Sequence, residues 1–137
     1  MNVVYSYYVL DVIHKGHINM MKAAKRLAGE DGISIIAILT DKATMEKKDK
    51  PIFSFNERFE IAKAIKYADI VVAQDTYSPL PNVKKMKPDI LMESTSHELQ
   101  AIEDGREFMR SIGGELFVMP YFPAQSSTEI KKKIKEQ

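Results

Sequence analysis

The 137-residue chain contains no cysteine and no tryptophan, and it has only three histidines. The lack of cysteine excludes disulfide bonds, thiolate metal sites and cysteine nucleophiles, and it is compatible with a reducing cytoplasm. The formal net charge is only +1, so the sequence lacks the basic excess that is typical of proteins that bind nucleic acids. We therefore expect no nucleic-acid partner.

Long apolar runs are also missing. The apolar segment at the N-terminus is too short for a transmembrane helix, and it lacks the positive start and small-residue cleavage site of a signal peptide. Hydrophobic residues make up 45% of the chain and charged residues 28%, which is ordinary for a globular protein. We expect a cytoplasmic protein without a membrane partner, in which residues 1–137 form a single domain.

Strand and helix patterns alternate along the chain. Apolar and β-branched runs predict five strands, at residues 2–10, 33–40, 69–73, 89–92 and 115–120. Helical spacing of apolar residues predicts helices or helical turns at residues 17–29, 55–68, 82–87, 99–114 and 126–137. This order predicts an α/β, Rossmann-like fold, with an open, mostly parallel five-stranded sheet and helices on both faces.

Two polar segments each follow a predicted strand and begin a predicted helix. The sequence HKGH, at residues 14–17, follows the first strand, and the sequence SST, at residues 126–128, follows the fifth. Ligands of such sheets bind beyond the carboxyl ends of the strands, where the strand order reverses. A glycine lets the backbone approach a phosphate closely, and a helix start supplies unpaired N–H groups. The pattern therefore predicts a phosphate-binding crevice that contains His14 and His17.

The HKGH segment matches an HxGH motif, with Asp11 three residues before it and SST at the start of the last helix. In this context it resembles the cytidylyltransferase-like branch of the nucleotidyltransferase superfamily, over nearly the whole chain. Within that branch the chain is most similar to small domains that load phosphonates or phospho-alcohols with CMP. The resemblance implies a nucleotidyltransferase that transfers CMP from CTP to an acceptor such as 2-hydroxyethylphosphonate, with release of pyrophosphate. It also implies Mg²⁺ as a cofactor and a homodimer.

The resemblance assigns roles to individual residues. The catalytic set would hold charge on the triphosphate, as preorganised donors do in phosphoryl transfer, and comprises His14, His17, Lys48 and Arg58. The nucleotide-binding set would comprise Tyr8, Val9, Asp11, Gly16, Ser126, Ser127 and Thr128. The acceptor-binding set would comprise Ser94, Thr95 and His97. No resident metal ligand is assigned.

The chain departs from the family pattern in three places. One is residues 122–125, Phe-Pro-Ala-Gln, where many relatives have an Arg or Lys and a glycine before the final serines. Residues 8–10 are Tyr-Val-Leu, where many relatives have Gly-Thr-Phe, and residues 94–97 are Ser-Thr-Ser-His, where many have Gly-Asp-Asp-Trp. The missing acidic pair predicts that the crevice prefers an acceptor without an amine, because less negative charge would lie beside it.

Alternatives exist for the function and for each site residue. An adenylyltransferase of the same fold would use ATP, and a catalytically silent domain would bind nucleotide without releasing pyrophosphate. A metal site on His14 and His17 is the least favoured, since cysteine is absent. Purely structural interpretations are a helix cap for His14, a solvated lysine-rich loop for Lys48 and a turn for residues 94–97.

Overall fold

The computed structural model describes residues 2–120, together with Lys131 and Ile134. The strands are β1 (Val3–Tyr8), β2 (Ile33–Leu39), β3 (Ile70–Gln74), β4 (Ile90–Ser94) and β5 (Glu115–Met119). The helices are α1 (Lys15–Ala28), α2 (Asp41–Thr44), α3 (Phe55–Lys63), α4 (Leu80–Met86) and α5 (Leu99–Ser111). All five predicted strands are confirmed, as are the predicted helices before residue 120. The short helix α2 was not predicted; it begins where the Thr40 side chain accepts a hydrogen bond from the Ala43 amide.

The five strands form one sheet in the order β3-β2-β1-β4-β5, and all four strand pairs are parallel. The predicted Rossmann-like fold is therefore confirmed. The chain moves outward from β1 to β3 and then returns to the other side of β1 with β4. The strand order thus reverses between β1 and β4, and a ligand crevice is expected beyond the carboxyl ends of these two strands.

The central strand β1 is buried on both faces, which explains its continuous apolar run. Its side chains alternate between two clusters, because successive residues of a strand point to opposite faces. Tyr5 and Tyr7 pack with residues of α4 and α5, whereas Val4 and Tyr8 pack on the face covered by α1 and α3. The helices therefore cover both faces of the sheet, as the sequence predicts.

Helix α5 packs closely on the sheet because it carries Gly105 in its interior. A Cβ atom at this position would lie 3.0 Å from the Leu116 side chain and 3.2 Å from the Leu91 side chain. Within residues 2–120, no helix is long and apolar enough to cross a membrane.

Candidate active site

A crevice of about 1130 Å³ lies at the carboxyl end of the sheet, where the strand order reverses. Its walls come from the segment between β1 and α1, the loop that joins α2 to α3, and the segments that follow β3, β4 and β5. This size suits a nucleotide together with a small second substrate. The crevice lies where the sequence predicts one.

His14 and His17 hold the N-terminus of α1 through reciprocal hydrogen bonds. Nδ1 of His14 accepts from the Gly16 amide at 3.0 Å, and Nδ1 of His17 accepts from the His14 amide at 3.2 Å. Because both Nδ1 atoms accept, each neutral ring carries its proton on Nε2. The ring centroids are 4.0 Å apart, so two Nε2–H donors lie side by side. His14 therefore caps α1, and this bond leaves both rings able to donate to a phosphate.

Both histidines are kept uncharged by their surroundings. Burial lowers the pKa of His14. Burial, followed by the repulsion that protonated His14 and Lys48 would exert on a positive His17, lowers the pKa of His17 from 6.5 to about 3. At neutral pH the pair therefore acts as hydrogen-bond donors without a net charge, while the positive charge beside a bound anion comes from lysines.

Asp11 ties the lysine-bearing loop to the end of β1. Its carboxylate is 2% exposed and accepts hydrogen bonds from the amides of Ile52 and Phe53, both at 2.9 Å, and from Lys131. Burial raises the pKa of Asp11, but these hydrogen bonds outweigh it and lower the pKa overall. The preceding Leu10 has a φ of 59°, a left-handed conformation that is rare for residues with a Cβ atom and is found at functional sites. This backbone turn directs the Asp11 carboxylate towards the amides of Ile52 and Phe53 in the loop.

Lys48 lies in that loop and lines the crevice together with His14 and His17. Desolvation in the crevice lowers the pKa of Lys48, and the positive charge of Lys131 lowers it further. The neighbouring Lys47 is engaged elsewhere, since its ammonium lies 3.2 Å from the carboxylate of Glu98. Lys50 and Lys131 also line the crevice, and Lys131 pairs with Asp11, so several cations, with Lys48 beside the histidines, surround the place where a triphosphate would bind.

Arg58 is 0% exposed and does not line the crevice. Its guanidinium donates to the carbonyl groups of Val9 and Leu39, both at 2.7 Å, and to that of Phe53 at 3.2 Å. It also lies 2.8 Å from the Asp41 carboxylate. These bonds connect the ends of β1 and β2 to α3. The geometry therefore indicates a positioning role for Arg58 rather than the direct catalytic role predicted from the sequence.

The segment after β4 brings two of its three predicted acceptor-binding residues to the crevice. Ser94 and His97 line it, whereas Thr95 does not. The Thr95 amide donates to the Met119 carbonyl at 3.0 Å, which continues the pairing of β4 with β5, and the residue is exposed outside the crevice lining. Ser96, which was not predicted, also lines the crevice, and its hydroxyl lies 3.0 Å from that of Ser94.

Glu93 is the largest omission from the sequence prediction. It is 0% exposed at the end of β4, and its carboxylate contacts the Tyr7 hydroxyl at 2.7 Å and Nδ1 of His97 at 2.5 Å. One signal was available: an acidic residue inside a short apolar strand is rare unless a partner compensates its charge.

The predicted nucleotide-binding residues divide into two groups. Tyr8, Val9, Asp11 and Gly16 line the crevice, and the Tyr8 ring meets the His17 ring edge-on, with centroids 6.2 Å apart. Ser126, Ser127 and Thr128 lie outside the described residues. Within the part of the chain that is described, no group of three His, Asp or Glu side chains could hold a metal ion.

Comparison with known proteins places this geometry in a family. The cytidylyltransferase-like family matches residues 9–133. The chain is 33% identical to an FAD synthase of Korarchaeum cryptofilum, over 90% of this chain and 85% of that protein. It is 29% identical to the bifunctional protein HldE of Alcanivorax borkumensis, over 98% of this chain but only 28% of that protein, so it spans little more than a quarter of that relative's length.

A solved structure has the same fold. It is the lipopolysaccharide core biosynthesis protein of Thermoplasma volcanium, with a TM-score of 0.73 and 21% identity over 89% of this chain and 97% of that one. The fold, the HKGH helix start and the family match agree with one another. The chain belongs to the cytidylyltransferase-like family, within the nucleotidyltransferase superfamily.

Proposed function

We propose that this chain transfers a nucleotidyl group from a nucleoside triphosphate to an oxygen of a small phosphate or phosphonate. The observation that carries the proposal is the pair of neutral imidazoles on the first turn of α1. Their Nε2–H groups share one crevice with the ammonium groups of Lys48 and Lys131. Donors and cations on a helix N-terminus are suited to a triphosphate.

The reaction follows from this arrangement. An acceptor oxygen attacks the α-phosphorus in line, the bond from that phosphorus to the bridging oxygen of the β-phosphate breaks, and pyrophosphate leaves. Negative charge grows on the α-phosphoryl oxygens and on the departing group. Fixed N–H donors that face this charge lower the barrier without a nucleophilic side chain. His14 and His17 supply these donors, and Lys48 adds positive charge from its loop.

Magnesium is best assigned to the nucleotide. The carboxylate of Asp11 is engaged by two amides and Lys131, and that of Glu93 by Tyr7 and His97. These carboxylates therefore do not fit a resident metal site, and Mg²⁺ commonly binds mainly through substrate phosphates. We derive no step of the reaction from a protein-bound metal.

Two nucleotides are candidates. The motif resemblance favours CTP with a small phosphonate or phospho-alcohol such as 2-hydroxyethylphosphonate. The relatives favour ATP, because the FAD that the Korarchaeum relative is named for contains an adenylyl group, and this chain spans 85% of that protein. Adenylyl transfer is therefore the second candidate function, on the same crevice and with the same donors.

The test is pyrophosphate release measured with CTP and with ATP, each with Mg²⁺. The acceptors are 2-hydroxyethylphosphonate, 2-aminoethylphosphonate, phosphocholine, glycerol 3-phosphate and FMN. We expect release with CTP and a phosphonate or phospho-alcohol. A higher specificity constant with ATP and any of these acceptors assigns the chain to adenylyl transfer instead. Nucleotide binding without pyrophosphate release across the panel would contradict the proposal and leave a silent binding domain.

A further inference from the structure

Three side chains form a cluster at the end of β4, here called the Glu93 cluster: Tyr7, Glu93 and His97. Both carboxylate oxygens of Glu93 lie 2.7 Å from the Tyr7 hydroxyl, and one lies 2.5 Å from Nδ1 of His97. The His97 ring also stacks on the Tyr7 ring, with centroids 5.2 Å apart and planes inclined by 21°. The imidazole is therefore fixed both at one nitrogen and across its face.

A carboxylate without solvent contact needs a partner that compensates its charge. Tyr7 cannot supply that charge, and burial, followed by the charge of Glu93, raises the pKa of its hydroxyl. His97 is the member of the cluster that can become positive, and its side chain is 22% exposed. The other ionisable groups close to the cluster are Tyr5, Tyr77, Lys47 and Glu98, and the last two pair with each other.

The free edge of the His97 ring is the part that can meet a ligand. Nδ1 contacts Glu93, and within the described residues Nε2 has no hydrogen-bond partner. His97 lines the same crevice as His14 and His17, with Ser94 and Ser96 beside it. An oxyanion on Nε2 would place the ring between two negative groups, and such a ring binds a second proton because each anion stabilises the imidazolium.

We propose that Glu93 positions His97 so that its Nε2–H binds the anionic phosphate or phosphonate group of the acceptor. The inference rests on the proposed function and assigns the acceptor a subsite at the end of β4. An imidazolium has no lone pair with which to remove a proton. The acceptor must therefore arrive as an oxyanion that is already a nucleophile, rather than as an alcohol or an amine that needs a base.

The kinetic test uses three variants and a matched control. His97→Asn keeps a donor near the position of Nδ1 but loses Nε2, Glu93→Gln removes the charge with little change of shape, and Tyr7→Phe removes one bond to Glu93 but keeps the stacked ring. The control is Glu103→Gln, an exposed residue of α5. We expect His97→Asn and Glu93→Gln to raise the acceptor KM by about 10- to 100-fold, the effect of losing a charged hydrogen bond. We expect a smaller rise with Tyr7→Phe.

The nucleotide KM should stay within about twofold of the wild type in all three variants, and Glu103→Gln should match the wild type. An unchanged acceptor KM in His97→Asn would overturn the proposal. An equal rise in both KM values would overturn it too, because a general structural defect would affect both substrates. If Glu93→Gln does not fold, His97→Asn and Tyr7→Phe still decide the question.

A second readout does not depend on turnover. With only three histidines, each imidazole can be assigned in ¹⁵N NMR spectra by substituting one at a time. Methylphosphonate, added alone, should shift the His97 signals and protonate both ring nitrogens in the wild type, but not in Glu93→Gln. No shift at His97 would overturn the subsite. Absence of turnover in the wild type would instead count against the proposed function.

Discussion

The two ends of the crevice both present histidines, but their surroundings prepare the rings for opposite tasks. At the start of α1, backbone amides donate to Nδ1 of His14 and His17, and burial keeps both rings neutral. At the end of β4, Nδ1 of His97 contacts the buried carboxylate of Glu93. The inner nitrogen therefore faces a donor at the start of α1 and a negative group at the end of β4, so the same residue type is held in two different electrostatic surroundings.

The difference matches the charge that each end would meet. A helix N-terminus is electropositive and Lys48 lies close by, so a third positive charge on His17 would be costly there. The end of β4 also precedes a helix, since α5 begins at Leu99, but this end holds the buried carboxylate of Glu93 in contact with His97. A positive charge on His17 is therefore disfavoured by its surroundings, whereas His97 contacts a negative group. The substitutions below test whether this contrast governs activity.

The largest effect is expected at the α1 end. His14→Ala and His17→Ala should each lower kcat by about 100- to 1000-fold, the usual result of removing one transition-state donor. Stopped assays of pyrophosphate release measure this, with Lys22→Ala on the exposed face of the same helix as the control.

His14→Asn separates the two roles of that residue, because asparagine can cap the helix but cannot place a donor where Nε2 lies. We expect normal thermal stability and low kcat for this variant. Near-normal kcat in both alanine variants would show that His14 and His17 only cap helix α1 and do not contribute to catalysis.

The next largest effect is expected from Arg58, which connects the ends of β1 and β2 to α3. Arg58→Met should lower the free energy of unfolding by about 3 kcal/mol, because it leaves buried carbonyl groups and the Asp41 carboxylate without their donor. Denaturant unfolding measures it, with Lys63→Met on the exposed side of α3 as the control. A stable Arg58→Met protein with lost activity would instead restore the direct catalytic role predicted from the sequence.

The sequence predicts one end of the crevice much better than the other, for a physical reason. His14 and His17 lie three residues apart around a glycine at a helix start, so their arrangement is local. Only one partner of Glu93 is local: His97 lies four residues away, but Tyr7 lies 86 residues away, on a strand that only the folded sheet brings beside β4.

The burial of Arg58 is a second feature that the sequence does not predict. In the sequence Arg58 occupies an ordinary position of an amphipathic helix, close to acidic residues, where arginine is usually solvated. Its burial depends on carbonyl groups at the ends of two strands and on the left-handed turn at Leu10, which helical periodicity does not encode. The fold, by contrast, follows from alternating periodic segments, and all five strands were predicted.

A smaller effect should distinguish the neutral pair by its pH dependence. The folded state binds a proton on His17 only near pH 3, whereas the unfolded chain binds it near pH 6.5. Protonation therefore favours unfolding, and the free energy of unfolding falls as the pH drops from 6.5 towards 3, by at most about 1.4 kcal/mol per unit. His17→Gln should lose less stability than the wild type between pH 7 and pH 4.5, in urea titrations. Equal losses of unfolding free energy in the wild type and in His17→Gln would show that protonation of His17 is not coupled to unfolding.

The smallest effect concerns the acceptor, and it tests the β4 end directly. Thr95 and Ser96 stand where many relatives have acidic residues, and His97 follows them, so an acceptor ammonium would meet His97 rather than a carboxylate. Like charges about 4 Å apart in water repel by about 1 kcal/mol, which favours 2-hydroxyethylphosphonate over 2-aminoethylphosphonate by about fivefold in kcat/KM. Glu93 works against this preference, but it is fully buried and already contacts His97 and Tyr7. His97→Asn should therefore bring the ratio of the two specificity constants close to one. A wild type that prefers the amine would mean that the charge of Glu93, and not that of His97, dominates the field at this end of the crevice.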